Sequence, residues 1–247
     1  MTVESERDLA ALRRVGRVVG LALREMRESL EPGMTTAELD AVGERVFEEH
    51  GARSAPRLMK GFPGVNCISV NDEAVHGVPG DRVVRPGDLV KIDVTAELEG
   101  YVADAAVTVA VPPSPPVHEE LRACAQLAFE RAAAVARAGR PVNKIGRVVE
   151  TAVRRRGFTV MTELRSHGVG RAIHEPPTIP NYYERRLSAP LREGLVITIE
   201  PIISSGSQWT IDGDDGWTIK SADGSPVAHH EHTIVVTKGQ PLVLTAA

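Results

Sequence analysis

Residues 89–111, LVKIDVTAELEGYVADAAVTVAV, decide the fold, because they place two aspartates within two apolar segments. The segments on either side of Glu97-Leu98-Glu99-Gly100 alternate apolar and polar residues, which predicts two strands joined by a hairpin loop. A turn at the centre of this loop predicts that Asp93 and Asp104 face each other, with Cβ atoms roughly 5 Å apart.

Two ionised carboxylates in such positions repel each other unless one binds a proton or a cation lies between them. An alternative is that Gly100 forms a bulge, which shifts the register and leaves both aspartates in solvent. The pair alone does not decide between these interpretations, and the remaining carboxylates of the chain are needed.

The composition is that of an ordinary soluble globular protein, with 247 residues, 42% hydrophobic and 25% charged. A net charge of -4 gives no electrostatic reason to expect nucleic-acid binding. No apolar run is long enough for a membrane span, and the acidic N-terminus does not resemble a signal peptide. Two cysteines, Cys67 and Cys124, fit a reducing compartment. We therefore expect a cytoplasmic protein.

The two halves of the chain repeat one pattern, separated by the proline-rich linker Pro112–Pro116. Helical spacing predicts helices at about 5–31 and 35–51, whereas 52–63 has little regular signal and is expected to be irregular. An offset of 106 residues relates Gly33 to Gly139 and Gly51 to Gly157, together with the apolar face that follows. These matches predict a duplicated α+β fold with halves at about 5–111 and 117–244 and a site between them.

Four carboxylates, Asp93, Asp104, Glu200 and Glu231, each interrupt an apolar strand-like segment. Burying all four without compensation would cost on the order of several kcal/mol each. Two divalent cations would neutralise them, and a histidine would complete the ligand set. Taken singly, a histidine such as His167 is more often structural, and Glu231, amid three histidines, could belong to an exposed edge.

Five motifs together resemble those of type I methionine aminopeptidases. They are Asn71-Asp72-Glu73-Ala74-Val75-His76-Gly77-Val78-Pro79, Lys91-Ile92-Asp93-Val94-Thr95, His167-Gly168-Val169-Gly170-Arg171 with His174-Glu175, Thr198-Ile199-Glu200-Pro201, and Glu231-His232-Thr233. The resemblance extends from about residue 5 to residue 244. It implies one catalytic domain over 1–247, with the duplicated pita-bread (creatinase/aminopeptidase) fold, pseudo-two-fold symmetry and a dinuclear metal site between the halves.

The resemblance also implies the ligands of two divalent ions, which would be Co, Mn, Fe or Zn. Asp104 and Glu231 would bridge both ions, Asp93 would bind one, and His167 and Glu200 would bind the other. A bridging hydroxide would attack the substrate.

The same resemblance implies three catalytic side chains beside the ions. Glu200 would transfer the proton of the attacking water, His174 would stabilise the oxyanion, and His76 would contact the scissile amide.

The implied activity is removal of the initiator methionine from nascent polypeptides when the second residue is Ala, Gly, Ser, Thr, Cys, Pro or Val. We expect a monomer that contacts the ribosome transiently and has neither nucleic-acid specificity nor membrane contact. The nearest rival is a proline-specific peptidase of the same fold; such relatives usually carry a further N-terminal domain, whereas here the first helix begins near residue 5. A non-catalytic binding protein on this scaffold would be expected to lack ligands.

The resemblance places an apolar methionine pocket beside the metal site. Its walls would be Pro56, Met59, Phe62, Cys67, Ile173 and Trp217. Family members often have an aromatic residue at Ile173, tyrosine at Met59, glycine at Ser166 and glutamate at Pro176. These departures leave the ligand positions intact and affect the pocket. The alternative for Phe62 and Trp217 is ordinary core packing.

Overall fold

The computed structural model describes residues 1–246. The helices are α1 Glu6–Ser29, α2 Thr36–His50, α3 Ala55–Lys60, α4 Pro116–Val135 and α5 Asn143–Arg154. The strands are β1 Arg53–Ser54, β2 Cys67–Val70, β3 Glu73–Val75, β4 Leu89–Leu98, β5 Tyr101–Ala110, β6 Thr159–Val160, β7 Arg165–Gly168, β8 Glu175–Pro180, β9 Val196–Ile199, β10 Ile202–Ser204, β11 Thr210–Asp212, β12 Ile219–Ser221, β13 Val227–His229, β14 Glu231–Val235 and β15 Leu242–Val243.

The first two helices begin and end where the sequence predicts. The side chain of Ser5 caps α1, and Thr35 forms a capping box with Glu38 at the start of α2. The prediction of an irregular stretch at 52–63 is wrong, because it contains α3. Ser54 caps this one-and-a-half-turn helix and Gly61 ends it, and so short an element leaves almost no periodic signal.

One nine-stranded sheet carries both halves. Its order is β1-β4-β5-β14-β9-β7-β8, with β2 also paired to β4 and β15 to β14. The pair β5–β14 lies at the seam, with β4 outside β5 and β9 outside β14, so the two halves are arranged about a pseudo-two-fold axis. One hydrophobic cluster, including Leu12 and Ile92, packs α1 and α2 on the first half. A second, including Leu121 and Ile197, packs α4 and α5 on the other.

The glycines that relate the two halves occupy equivalent positions. Gly33 and Gly139 follow the first helix of each half, and Gly51 and Gly157 follow the second. All four have positive φ, between 67° and 97°. This left-handed conformation favours glycine after a helix, which explains why the repeat is visible in the sequence at these positions.

The predicted hairpin forms, but its predicted register is wrong. The turn is the two-residue Glu99-Gly100, in which both residues have positive φ, so Asp93 pairs with Ala106 and Thr95 with Asp104. The bulge alternative is also wrong, because the ladder is continuous along both strands. Since the shift is two residues, the aspartates keep a common face and are diagonal neighbours rather than directly opposed.

None of the helices in residues 1–246 is both long and apolar enough to cross a membrane.

Candidate metal centre

The structure brings the five predicted ligands together around one cleft with a volume of about 470 Å³. They come from five successive strands of the sheet: Asp93 from β4, Asp104 from β5, Glu231 at the start of β14, Glu200 just after β9, and His167 from β7. Four of the five are buried, and Asp93 is half-buried. The strand order explains this convergence, because β5 and β14 meet at the seam.

Threonine side chains hold the backbone at this seam. The Thr233 hydroxyl accepts from the N–H of Asp104 at 2.9 Å and donates to its carbonyl at 2.8 Å. The Asp104 carboxylate in turn accepts a 2.8 Å hydrogen bond from Thr95. These bonds fix Asp104 beside Glu231 on the adjacent strand.

A separate buried network holds Glu200, which lies beyond the end of its strand. Its N–H donates to the Ser166 hydroxyl at 2.9 Å, and its carbonyl accepts from the Asn181 amide at 2.8 Å. The Ser166 hydroxyl also donates to the Asn181 amide oxygen at 3.3 Å. Side-chain hydrogen bonds therefore take the place of strand pairing for both the N–H and the carbonyl of Glu200.

Burial raises the pKa of all four carboxyls well above the usual range, and mutual repulsion adds to this effect. Besides burial, Asp104 raises the pKa of Asp93, and Glu231 raises the pKa of both Asp104 and Glu200. Asp93 does the same to the pKa of Glu231. Cations between these carboxylates would remove the repulsion among them, whereas each proton would neutralise only one carboxylate.

The donor atoms fit divalent metal ions. Two groups of donors, Asp104–His167–Glu231 and Asp93–His229–Glu231, each lie within 4.8 Å of one another. Within the described residues, Asp93 Oδ1, Glu231 Oε1 and both ring nitrogens of His229 are buried without a hydrogen-bond partner. Buried polar atoms are rarely left unpaired, so this concentration at one cleft indicates a site for cations.

The ring of His167 is oriented as a metal ligand should be. Its Nδ1 is 2.9 Å from the carbonyl of Gly168, so Nε2, which lies 3.3 Å from Glu200, can present a lone pair to the cleft. Burial, and next the nearby His174, lower the pKa of His167 to about 4. The ring is therefore neutral at neutral pH, as metal binding requires.

The two predicted substrate-contacting histidines line the same cleft from opposite halves. His76 follows β3, is half-buried and has a φ of 58°. His174 is exposed at the cleft, with its ring centroid 4.4 Å from that of His167. Burial, and next the neighbouring His174, lower the pKa of His76 to about 4.

Most of the predicted methionine pocket lines this cleft. Phe62 and Trp217 meet edge to face with centroids 5.3 Å apart, and Pro56, Cys67 and Ile173 complete the apolar wall. Met59 is not among the lining residues. It lies on α3 with 38% of its surface exposed, so the structure does not bring it to the pocket.

Sequence reasoning missed His229 as a residue of this site. Its side chain is 1% exposed, and its Nε2 lies 3.2 Å from Glu231 Oε2. The interpretation of 229–232 as an exposed polar edge is wrong, because Glu231 is also buried, at 2%. The available signal was the strand period of two, which puts His229 and Glu231 on one face.

Comparisons with known proteins agree with this geometry. The profile of metallopeptidase family M24 matches residues 10–238. Methionine aminopeptidase 2 of Bacillus subtilis is 44% identical over 247 residues, covering 99% of each chain. The crystal structure of a methionine aminopeptidase from Thermotoga maritima superposes with a TM-score of 0.96, at 33% identity and full coverage of both chains.

A prolidase from Pyrococcus horikoshii has a TM-score of 0.77 at 23% identity, and the chain spans 63% of that structure. This likeness shows the fold alone. From the family profile, the identities and the ligand-lined cleft, the chain belongs to metallopeptidase family M24 as a metallo-exopeptidase with the pita-bread fold, and its relatives are methionine aminopeptidases.

Proposed function

We propose that this protein removes the initiator methionine from newly made polypeptides whose second residue is small and uncharged: Ala, Gly, Ser, Thr, Cys, Pro or Val. The observation that carries the proposal is the cleft, where four carboxylates and an imidazole lie beside an apolar pocket built on Phe62 and Trp217. The similarity to methionine aminopeptidases supports it.

Two divalent ions would occupy the cleft, held by Asp93, Asp104, His167, Glu200 and Glu231. When bound, they would supply the positive charge that balances four carboxylates and the Lewis acidity that activates water for peptide hydrolysis. Oxygen donors with an imidazole suit Co, Mn, Fe or Zn. Asp104 and Glu231 are the proposed bridges, because they lie on the two strands that meet at the seam.

The protein's own groups would then handle the proton and the developing charge. Glu200, a buried carboxyl with a raised pKa, is suited to take a proton from water and to pass it to the leaving amine. His174, at the exposed side of the cleft, would donate a hydrogen bond to the oxyanion, and His76 would contact the scissile amide.

A peptide N-terminus suits this cleft when the ions are bound. A free α-amine has a lone pair that can ligate a divalent ion, whereas the nitrogen of an internal peptide bond has none available. The apolar wall of Phe62, Cys67, Ile173 and Trp217 is suited to a thioether side chain. We further propose that the protein works as a cytoplasmic monomer with transient ribosome contact.

The test is a peptide assay on protein that has been chelated and then supplied with Co, Mn, Fe or Zn. We expect Met-Ala-Ser to be cleaved far faster than Met-Lys-Ser, no cleavage of Ala-Pro-Ala, and no activity before metal is added. Comparable turnover of Met-Lys-Ser would contradict the second-residue rule. Preferential cleavage of Ala-Pro-Ala would instead favour a proline-specific peptidase, and activity that persists in metal-free protein would contradict the metal requirement.

A further inference from the structure

The two donor groups of the cleft are built alike. Each consists of one aspartate, one histidine and the shared Glu231. The group with Asp104 takes its imidazole from His167, and the group with Asp93 takes it from His229. The five predicted ligands give the ion at Asp93 no imidazole, whereas the structure places one beside it.

The surroundings of the His229 ring are those of a metal ligand. The side chain is 1% exposed, and within residues 1–246 neither ring nitrogen has a hydrogen-bond partner. Its Nε2 is 3.2 Å from Glu231 and 3.8 Å from Glu200. Although the shorter distance is within hydrogen-bond range, the alignment does not make a hydrogen bond. Donor atoms that share one ion at about 2.1 Å lie about 3–4 Å apart, and the 3.2 Å between His229 Nε2 and Glu231 falls in this range.

The backbone holds His229 rigidly in this place. The Thr108 hydroxyl accepts from the N–H of His229 at 2.8 Å and donates to its carbonyl at 2.7 Å. His229 also pairs with Ile202 at the end of β13. An imidazole fixed by its backbone loses little entropy on binding an ion, so the position is preorganised.

We propose that Nε2 of His229 is a sixth protein ligand of the metal centre and binds the ion held by Asp93. The proposal rests on the two-ion centre proposed above. Each ion then has one imidazole, and the four carboxylate charges are unchanged because histidine binds as the neutral ring. Nitrogen ligation at this ion favours Zn, Co and Fe over Mg.

The rival role for His229 is a hydrogen bond that orients the Glu231 carboxylate without contact to an ion. Two substitutions separate these roles. His229→Gln keeps a donor that can reach Glu231, whereas His229→Leu keeps none. His230→Gln is the matched control, because it makes the same change on the neighbouring residue, whose ring contacts Phe129 and lines a different cavity.

The experiment titrates the chelated full-length proteins with Co²⁺, following the visible absorption and the bound metal per chain, with circular dichroism to verify folding. We expect wild type and His230→Gln to bind two ions with the same spectrum. Both His229 variants should bind one ion at least tenfold more weakly, with an altered spectrum for that ion.

Three results would overturn the proposal. Wild-type affinity and spectrum in both His229 variants would exclude any role in binding. Normal binding by His229→Gln with weak binding by His229→Leu would assign the orienting role instead. A wild-type protein that binds fewer than two ions would overturn the two-ion centre itself, whereas the first two results would leave it intact.

Discussion

The two halves of the sheet hold their carboxylates by different means. Asp93 and Asp104 lie within two ten-residue strands whose ladder is continuous from Leu89 to the turn. Glu200 lies beyond the end of a four-residue strand, and its backbone depends on Ser166 and Asn181. Asp93 and Asp104 thus have a regular ladder behind them, with added bonds to Asp104 from Thr95 and Thr233, whereas Glu200 is held by side-chain bonds beyond the end of its strand. The two should respond differently to substitution.

The largest loss of activity is expected at the two proposed bridging carboxylates, to which each half contributes one. Asp104→Asn and Glu231→Gln each replace a proposed bridging carboxylate with a neutral amide, which is a poor bridge between cations. Residues that only hydrogen-bond a metal ligand typically change metal affinity roughly 10–100-fold when replaced. Both of these variants should lose more metal affinity than that, and activity with it. Metal content per chain, measured beside steady-state rates, checks this. If Glu231→Gln keeps both ions, Glu231 is not a ligand that the two ions share.

The next largest effect concerns the two histidines that come one from each half. His76→Ala and His174→Ala should keep both ions and the fold, yet lose roughly 10²–10³ in kcat, the scale for removing one hydrogen-bond donor to the transition state. KM should change much less, because the apolar pocket and the ions still bind the ground state. Loss of a metal ion in His76→Ala would identify His76 as a ligand and contradict this division of roles.

The same contrast between the halves limits what the sequence alone could predict. Alternation around Asp93 and Asp104 indicated their strands and shared face, because period two is visible in a single chain. The predicted register was wrong by two residues. The register depends on which two residues adopt positive φ in the turn, here Glu99 and Gly100, and placing the turn at the centre of the loop does not identify them.

In the second half, the sequence indicated which residues carry chemistry but not how they are held. The support of Glu200 by Ser166 and Asn181 joins residues 15 or more positions apart, and no local pattern encodes such contacts. His229 was missed because three histidines around Glu231 resembled a polar edge, whereas burial distinguishes them.

A smaller effect should separate the two kinds of support. Ser166→Ala removes the hydroxyl that accepts from the buried N–H of Glu200, so the carboxyl loses its fixed position. We expect kcat to fall roughly 10–100-fold, as for outer-shell partners of metal ligands.

The matched substitution in the first half is Thr95→Val, which removes one hydrogen bond to Asp104 and leaves the ladder intact. Its effect on kcat should be about tenfold or less, again on the outer-shell scale. Steady-state kinetics of both variants, with metal content measured, makes the comparison. Equal losses would show that the regular ladder gives Asp104 no advantage over the network at Glu200.

The smallest expected effect is on stability. It tests whether the buried Lys91, in the ladder of the first half, loses its proton in the folded protein. Lys91, two residues before Asp93, is 1% exposed, and its ammonium donates to the carbonyls of Asn71 at 2.8 Å and Leu89 at 3.2 Å. Burial lowers the pKa of Lys91 from 10.5 to about 7. Between these values the unfolded chain holds a proton that the folded protein lacks, so the free energy of unfolding rises with pH through this window.

Lys91→Met should remove that rise, which is at most about 1.4 kcal/mol per pH unit. For a chain of this size, about 1 kcal/mol corresponds to about 2–4 °C in Tm. Metal-free wild type and variant should therefore diverge by a few degrees per unit from pH 7 to 9.5, because titration of the shared carboxyls cancels in the difference. Lys144→Met, at an exposed lysine, should run parallel to wild type. A Lys91→Met profile that also runs parallel would mean that Lys91 stays protonated in the folded sheet, held by its two carbonyl partners.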